Sequence, residues 1–296
     1  MGRFIRRYRR NTDKLTEGLD AGIVDSLVHP AGGEPPPTGY YLSETWESGT
    51  VPSPWVASTF FNYQGANASV AIVPDPLSQK GQVARLRCPY TPGTMAVNSS
   101  YPSSILQQAA INIQPSNSRA DQGDDTWYRA DFMFPTGNVF CNGFSNFLVE
   151  WHTQATGPLS TGLFAYGSYP LTTGGTQTPK LVMVVRSTNI SSPTETFFPP
   201  AGGVSTLAAS QGITIQTNRW YKSVWHFKWS ADPLVGLFEW YLDDVLQVSK
   251  TMATHFTLAS EILFYSCYNY RYHVTGDSNI YYDTLALGPT RASVGG

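Results

Sequence analysis

From Tyr40 onward the chain is a succession of short runs rich in Val, Ile, Tyr, Phe and Trp, broken every few residues by Pro, Gly, Asn and Ser. No other feature constrains the fold as strongly. Branched and aromatic side chains fit a pleated, half-buried surface, and the intervening residues supply turns. Ten runs qualify as strands: 68–73, 82–88, 127–134, 146–154, 180–186, 220–229, 238–242, 245–249, 262–268 and 280–287. Asp243 and Asp244, between two of them, predict a hairpin turn. Helical periodicity is weak throughout, and only 103–110 reads as a short helix. So many short strands in one stretch predict an all-β domain, two antiparallel sheets packed as a sandwich or jelly roll. The stretches 89–117, 157–179 and 187–218 read as long, polar, turn-rich loops of the kind that carry function on a β scaffold.

Composition excludes the alternatives. Aromatic residues make up 14% of the chain and charged residues 14%, the reverse of a disordered or coiled-coil profile. Charge is unevenly spread. Of 19 basic residues, Arg3, Arg6, Arg7, Arg9 and Arg10 fall in the first ten positions without an acid, giving that arm +5. The other 14 face all 21 acids, so the body carries −7 and is not a nucleic-acid binder by charge. Residues 29–39, HPAGGEPPPTG, read as an extended spacer. The expected organisation is therefore a basic arm and linker over 1–39 and a globular domain over 40–296. No apolar run is long enough for a transmembrane helix, and the N-terminus lacks the apolar segment of a signal peptide. Cys88, Cys141 and Cys267 sit in or beside apolar stretches without metal-ligand spacing and read as buried free thiols. The only cofactor the sequence leaves open is a structural calcium on loop Asp and carbonyl groups.

Three segments carry candidate chemistry. In Leu148–Gln154, strand alternation puts Glu150, His152 and Gln154 on one face and Trp151 on the other. Such a polar row either faces solvent or lines a groove. In Phe264–His273, Tyr268, Tyr270 and Tyr272 share a face, interleaved with Asn269 and Arg271. Aromatic planes beside amide and guanidinium groups suit sugar rings, which offer an apolar face and hydroxyls, although cross-strand packing accounts for any single Tyr equally well. In 220–229, Trp225, Phe227 and Trp229 share one face and Lys222, Val224, His226 and Lys228 the other. This reads as architecture, with His226 a structural histidine. No phosphate loop, dinucleotide fingerprint, nucleophile elbow or zinc pattern is present.

Taken in order, these segments resemble the polysaccharide lyases built on a concanavalin-A-like jelly roll, the group that includes alginate, glucuronan and heparin lyases. The resemblance rests on ETWESGTVPSPW, TWYRADFMFP, EWHTQ, RWYKSVWHFKWSADPLVGLFEWYLDD and the closing YNYRY…SNIYYDTLALGPTRASV, and spans about residues 40–294. It implies β-elimination at a uronic acid: a carboxylate is neutralised, a base takes the C5 proton, and an acid protonates the departing O4. By resemblance His152 serves as base or neutraliser and Tyr270 as acid or base. Arg271 is placed to meet a carboxylate, and Glu150, Gln154, Arg129, Tyr268, Asn269 and Tyr272 are expected to line the groove. Two positions depart from the family pattern. Glu150 replaces a Gln two residues before the His, where an ionised carboxylate repels a uronate, and Ser266 replaces a Lys.

The basic arm sets the expected context. A domain that acts on extracellular polysaccharide but shows no export signal fits a phage virion or minor tail protein, released by lysis. Residues 1–39 would then dock onto other virion proteins, with oligomers formed through assembly and the domain displayed to cell-surface polysaccharide. An active lyase, and a purely structural decoration protein, are the alternatives.

Overall fold

The computed structural model describes residues 42–61, 68–89, 106–113, 117–140, 145–153, 160–166, 179–189, 192–198, 212–256, 263–272 and 276–296. The basic arm, the linker, Cys141 and Gln154 lie outside them.

Sixteen strands follow one another: β1 Leu42–Glu44, β2 Trp55–Phe61, β3 Ser69–Pro74, β4 Gln82–Cys88, β5 Leu106–Ile113, β6 Asp125–Met133, β7 Ser145–Thr153, β8 Ser160–Tyr166, β9 Lys180–Asn189, β10 Ser192–Phe198, β11 Ile213–Thr214, β12 Trp220–Lys228, β13 Leu237–Leu242, β14 Val245–Thr251, β15 Leu263–Tyr272 and β16 Ser278–Gly288. They form two antiparallel sheets. Sheet I runs β14-β13-β12-β6-β16-β4-β3 with β1 on β16, and sheet II runs β10-β9-β8-β7-β15-β5-β2 with β11 on β9. This is the expected jelly-roll sandwich.

The ten expected strands are all present, with small shifts at their ends. Residues 103–110 are a correction: 106–113 form β5, paired with β15 on one side and β2 on the other. Leu, Gln and Ala favour helix locally, but Ala109, Ile111 and Ile113 alternate into the core, and two flanking ladders outweigh propensity. The stretches read as loops likewise contain β5, β8, β10 and β11. The hairpin is as expected. Asp243 and Asp244 both take positive φ, at 51° and 65°, and Leu242 pairs with Val245, the left-handed pair a tight hairpin needs.

The core is aromatic. Trp225, Phe227 and Trp229 are fully buried, as their shared parity requires. Trp151 of sheet II meets Tyr128, Trp225 and Phe227 of sheet I at ring separations of 5.1, 5.5 and 4.8 Å. Polar groups staple the sheets across this layer. The Tyr265 hydroxyl donates to the Arg129 carbonyl at 3.0 Å. The Tyr282 hydroxyl lies 2.7 Å from the Leu148 carbonyl and 2.8 Å from that of Tyr268. Cys88 and Cys267 are buried and form no disulfide, and the Cys88 thiol donates to the Asn269 carbonyl at 3.1 Å.

His226 is structural. Its ring stacks on Trp127 at 4.2 Å, with Nε2 2.7 Å from Asp125 and Nδ1 3.0 Å from Glu239. Burial works against its protonation, but the hydrogen bonds to Asp125 and Glu239 prevail and raise its pKa. Both ring nitrogens face carboxylates, so the imidazolium satisfies both at once.

A candidate glycan face on sheet II

Sheet II has two faces, and strand parity assigns each residue to one of them. Ala109, Ile111, Leu163, Ala165, Leu181, Met183, Val149, Trp151 and Cys267 point into the sandwich core. Their neighbours Ala110, Phe147, Phe164, Val182, Val184 and Tyr268 form a second cluster, with Tyr270 packed against it. This second cluster occupies the outer face.

Cross-strand register adds the polar members. Val184 lies beside Gly162, Gly162 beside Glu150, Glu150 beside Ser266 and Ser266 beside Asn112. Paired residues in a sheet share a face, so Glu150 stands on the outer face with Val184. His152 follows two residues on, and Tyr268 and Tyr270 share that face across β15. The expected grouping of Glu150 and His152 opposite a core Trp151 therefore holds. His152 and Tyr270 are half-buried, whereas Glu150 at 7% exposure and Tyr268 at 5% are nearly closed off.

Two coincident bulges shape the centre of this face. On β7, Leu148 has no partner on β8, where the register jumps between Phe147 and Val149. On β15, Tyr268 and Asn269 stand against that one residue, where pairing jumps from Cys267 to Tyr270. A bulge re-aims the side chains that follow it and leaves backbone groups outside the ladder. Here the carbonyls of Leu148 and Tyr268, at the jump between β7 and β15, are the two that the Tyr282 hydroxyl meets from the core. Past the bulge Tyr270 comes opposite Phe147, its ring 4.9 Å from that of Phe147 and 6.3 Å from that of Tyr268. His152 and Tyr270 are thus offset by five residues of β7, about 16 Å along the strand at ~3.3 Å per residue.

Glu150 and Tyr268 lie between them. The Tyr268 phenol stands close enough to Glu150 to feel its carboxylate. Burial first, and then the Glu150 charge, hold that phenol well above its ordinary pKa, so it remains a donor. Glu150 has no bulky neighbour on either adjacent strand. Gly162 flanks it on β8, where a Cβ would stand 2.6 Å from the Val149 carbonyl, and Ser266 flanks it on β15.

Two expected groove residues belong elsewhere. Asn269 is fully buried and points into the core, as alternation between Tyr268 and Tyr270 dictates. Its Nδ2 donates to the Leu86 and Ser278 carbonyls at 2.9 and 3.1 Å, and its Oδ1 accepts from the Ser278 hydroxyl at 3.1 Å. It joins sheet II to sheet I. Arg129 lies on β6, on the outer face of sheet I. It chelates Asp131 at 2.7 and 2.6 Å and donates to the Val294 and Gly295 carbonyls at 3.1 Å each. Lys80 completes that network, 3.6 Å from Asp131 and 2.9 Å from Asp283. Its parity away from the core was legible in the sequence, but the identity of its sheet was not. Arg271 and Tyr272 lie opposite Gln107 and Leu106 on β5, and only their backbone is described. Gln154 falls outside the described residues.

Sequence reasoning did not single out Phe147, Phe164 and Arg186. Arg186 is 8% exposed, with its guanidinium 6.0 Å from the Phe164 ring centre. Phe164 lies in a stretch read as a loop, which hid its strand parity, whereas Arg186 closes the expected strand 180–186 and Phe147 lies in 146–154. Among the described residues no group of three or more His, Cys, Asp or Glu is placed to hold a metal ion, and no helix is long and apolar enough to cross a membrane.

Residues 45–286 match the family model described as polysaccharide lyase. Among curated proteins no sequence match is found. Solved structures that the chain resembles include an endo-β-1,4-glucuronan lyase from the fungus Trichoderma reesei, at 14% identity over 86% of this chain and 97% of that one, with a TM-score of 0.59. Alginate lyase Aly36B follows at 12% identity over 80% and 97%, TM-score 0.45. A carbohydrate esterase from the Shiga toxin-encoding bacteriophage phi24B is similar at 11% over 83% and 96%, TM-score 0.41. At such identities the likeness to the fungal enzyme is one of fold.

Proposed function

This chain belongs to the polysaccharide lyase family, and from that premise we propose that the outer face of sheet II binds a polysaccharide and cleaves it by β-elimination at a uronyl residue. The observation that carries this reading is the placement of His152 and Tyr270 as half-buried groups on one face, on either side of a buried polar pair. Elimination needs a base at the C5 proton and an acid at the departing O4. An imidazole and a phenol are suited to those roles. C5 and O4 of one linkage are close neighbours, so with strand positions about 16 Å apart one of the two groups serves as base and acid in turn and the other contacts an adjoining sugar unit.

The test is to incubate the purified chain with uronyl polymers and follow the absorbance of the conjugated C4–C5 double bond. Activity that disappears in His152→Ala and Tyr270→Phe supports the assignment. Activity that survives in both removes these residues from the chemistry. Binding without cleavage is the second reading, favoured by the buried carboxylate of Glu150. Retention of the chain in a polysaccharide gel with no absorbance change would establish it.

We also propose that residues 1–39, with their five arginines and Pro-rich spacer, anchor the domain in a phage particle for display to host glycans. A chain lacking residues 1–28 should then fail to enter particles while its domain still folds. Normal incorporation of the truncated chain would reject the anchor.

A further inference from the structure

Glu150 lies between His152 and Tyr270 along β7, level with Ser266, so a saccharide that touches both groups passes over its carboxylate. Glu150 is 7% exposed, with the Tyr268 phenol close to its carboxylate. It has only Gly162 and Ser266 beside it on the flanking strands. A charge so poorly hydrated is weakly screened, and a second carboxylate brought over it is repelled more strongly than in water.

We propose that Glu150 is a specificity-determining residue that selects a uronyl unit whose carboxyl group is uncharged, an ester or amide, and rejects the free uronate. The inference rests on the elimination reading given above. The chemistry is consistent with it. The base takes the proton from C5, the electron pair left behind forms the C4–C5 double bond, the C4–O4 bond breaks, and O4 leaves with a proton. With a free uronate, charge builds at C5 beside an existing negative charge, which must first be neutralised. With an ester the carbonyl is already neutral and accepts that charge as an enolate. A buried carboxylate on the face is compatible with the second substrate and opposes the first.

The experiment compares a polyuronate with its methyl ester, each with the wild-type chain and with Glu150→Gln, reading the rate of double-bond formation. Wild type should cleave the ester roughly tenfold faster than the free acid or better, the scale of one close like-charge contact. Glu150→Gln, which keeps the size of the side chain and removes its charge, should raise the free-acid rate and close the gap. Wild type preferring the free acid, or a ratio unmoved by the substitution, overturns the inference. If the variant loses both rates and melts lower, it has misfolded, and the retention of wild type in gels of the two polymers decides, stronger retention by the free acid overturning the inference. Silence of wild type on both polymers, without retention in a gel of either, instead refutes the elimination reading and the inference with it.

Discussion

Tyr282→Phe removes one oxygen atom from the core and tests whether the double bulge beneath the outer face of sheet II is held from below. The Tyr282 ring is fully buried, and its hydroxyl meets the carbonyls of Leu148 and Tyr268 at 2.7 and 2.8 Å. Both residues lie where the β7–β15 register jumps, and Leu148 has no partner on β8 either. Phe keeps the ring and creates almost no cavity, so the loss is confined to hydrogen bonding. Leaving a buried carbonyl unsatisfied costs roughly 1–3 kcal/mol. One hydroxyl proton is shared between the two, so about 2 kcal/mol is expected in all. For a domain of this size that corresponds to a fall in Tm of about 4–8 °C. Burial, the largest influence, keeps this phenol protonated well above its ordinary range, so the deficit should be the same at acidic, neutral and mildly alkaline pH. Thermal melts followed by near-ultraviolet circular dichroism measure it. Because the bulge sets the position of Tyr270 opposite Phe147, turnover of a cleaved polymer should fall as well. A variant that melts within about 1 °C of wild type would show that the bulge needs no support from sheet I.

Two further predictions separate architecture from site. Asn269→Ala removes three buried hydrogen bonds between the sheets and should cost about 3–5 kcal/mol, each partner losing its bond and the Ser278 hydroxyl left unsatisfied. Urea unfolding should show a lower midpoint at unchanged slope, and a variant of wild-type stability with impaired glycan retention would return Asn269 to the glycan face. For His226, the raised pKa means its stabilising contribution is fully present below the ordinary value of 6.5 and is lost as pH climbs through the folded value. Asp125, held low first by its hydrogen bond to His226, loses its own share only as pH falls through its depressed value, below 3.8. The Tm gap between wild type and His226→Gln should thus be widest, at about 1 kcal/mol or some 2–4 °C, near pH ~6 and should shrink toward pH ~9. A gap that is flat or grows with pH would refute the imidazolium bridge.

The sequence alone determined whatever depends on a period of two residues. Alternation placed Trp225, Phe227 and Trp229 together in the core, and set Trp151 against Glu150 and His152. The order of the aromatic segments also matched the family whose model covers residues 45–286. The paired Asp243 and Asp244 fixed a hairpin because turn geometry is a property of adjacent residues. Tertiary structure decided everything that depends on which strand lies beside which. Arg129 reads outward from its own strand, but only sheet order shows that outward there means Asp131 and the C-terminal turn and not the glycan face. Residues 106–113 became a strand because β2 and β15 flank them, against their own helical preference. The bulges that bring Tyr270 opposite Phe147 likewise arise in the pairing of β7 with β8 and β15. Parity is written along one strand, whereas register and sheet membership are settled by packing between residues far apart in the chain.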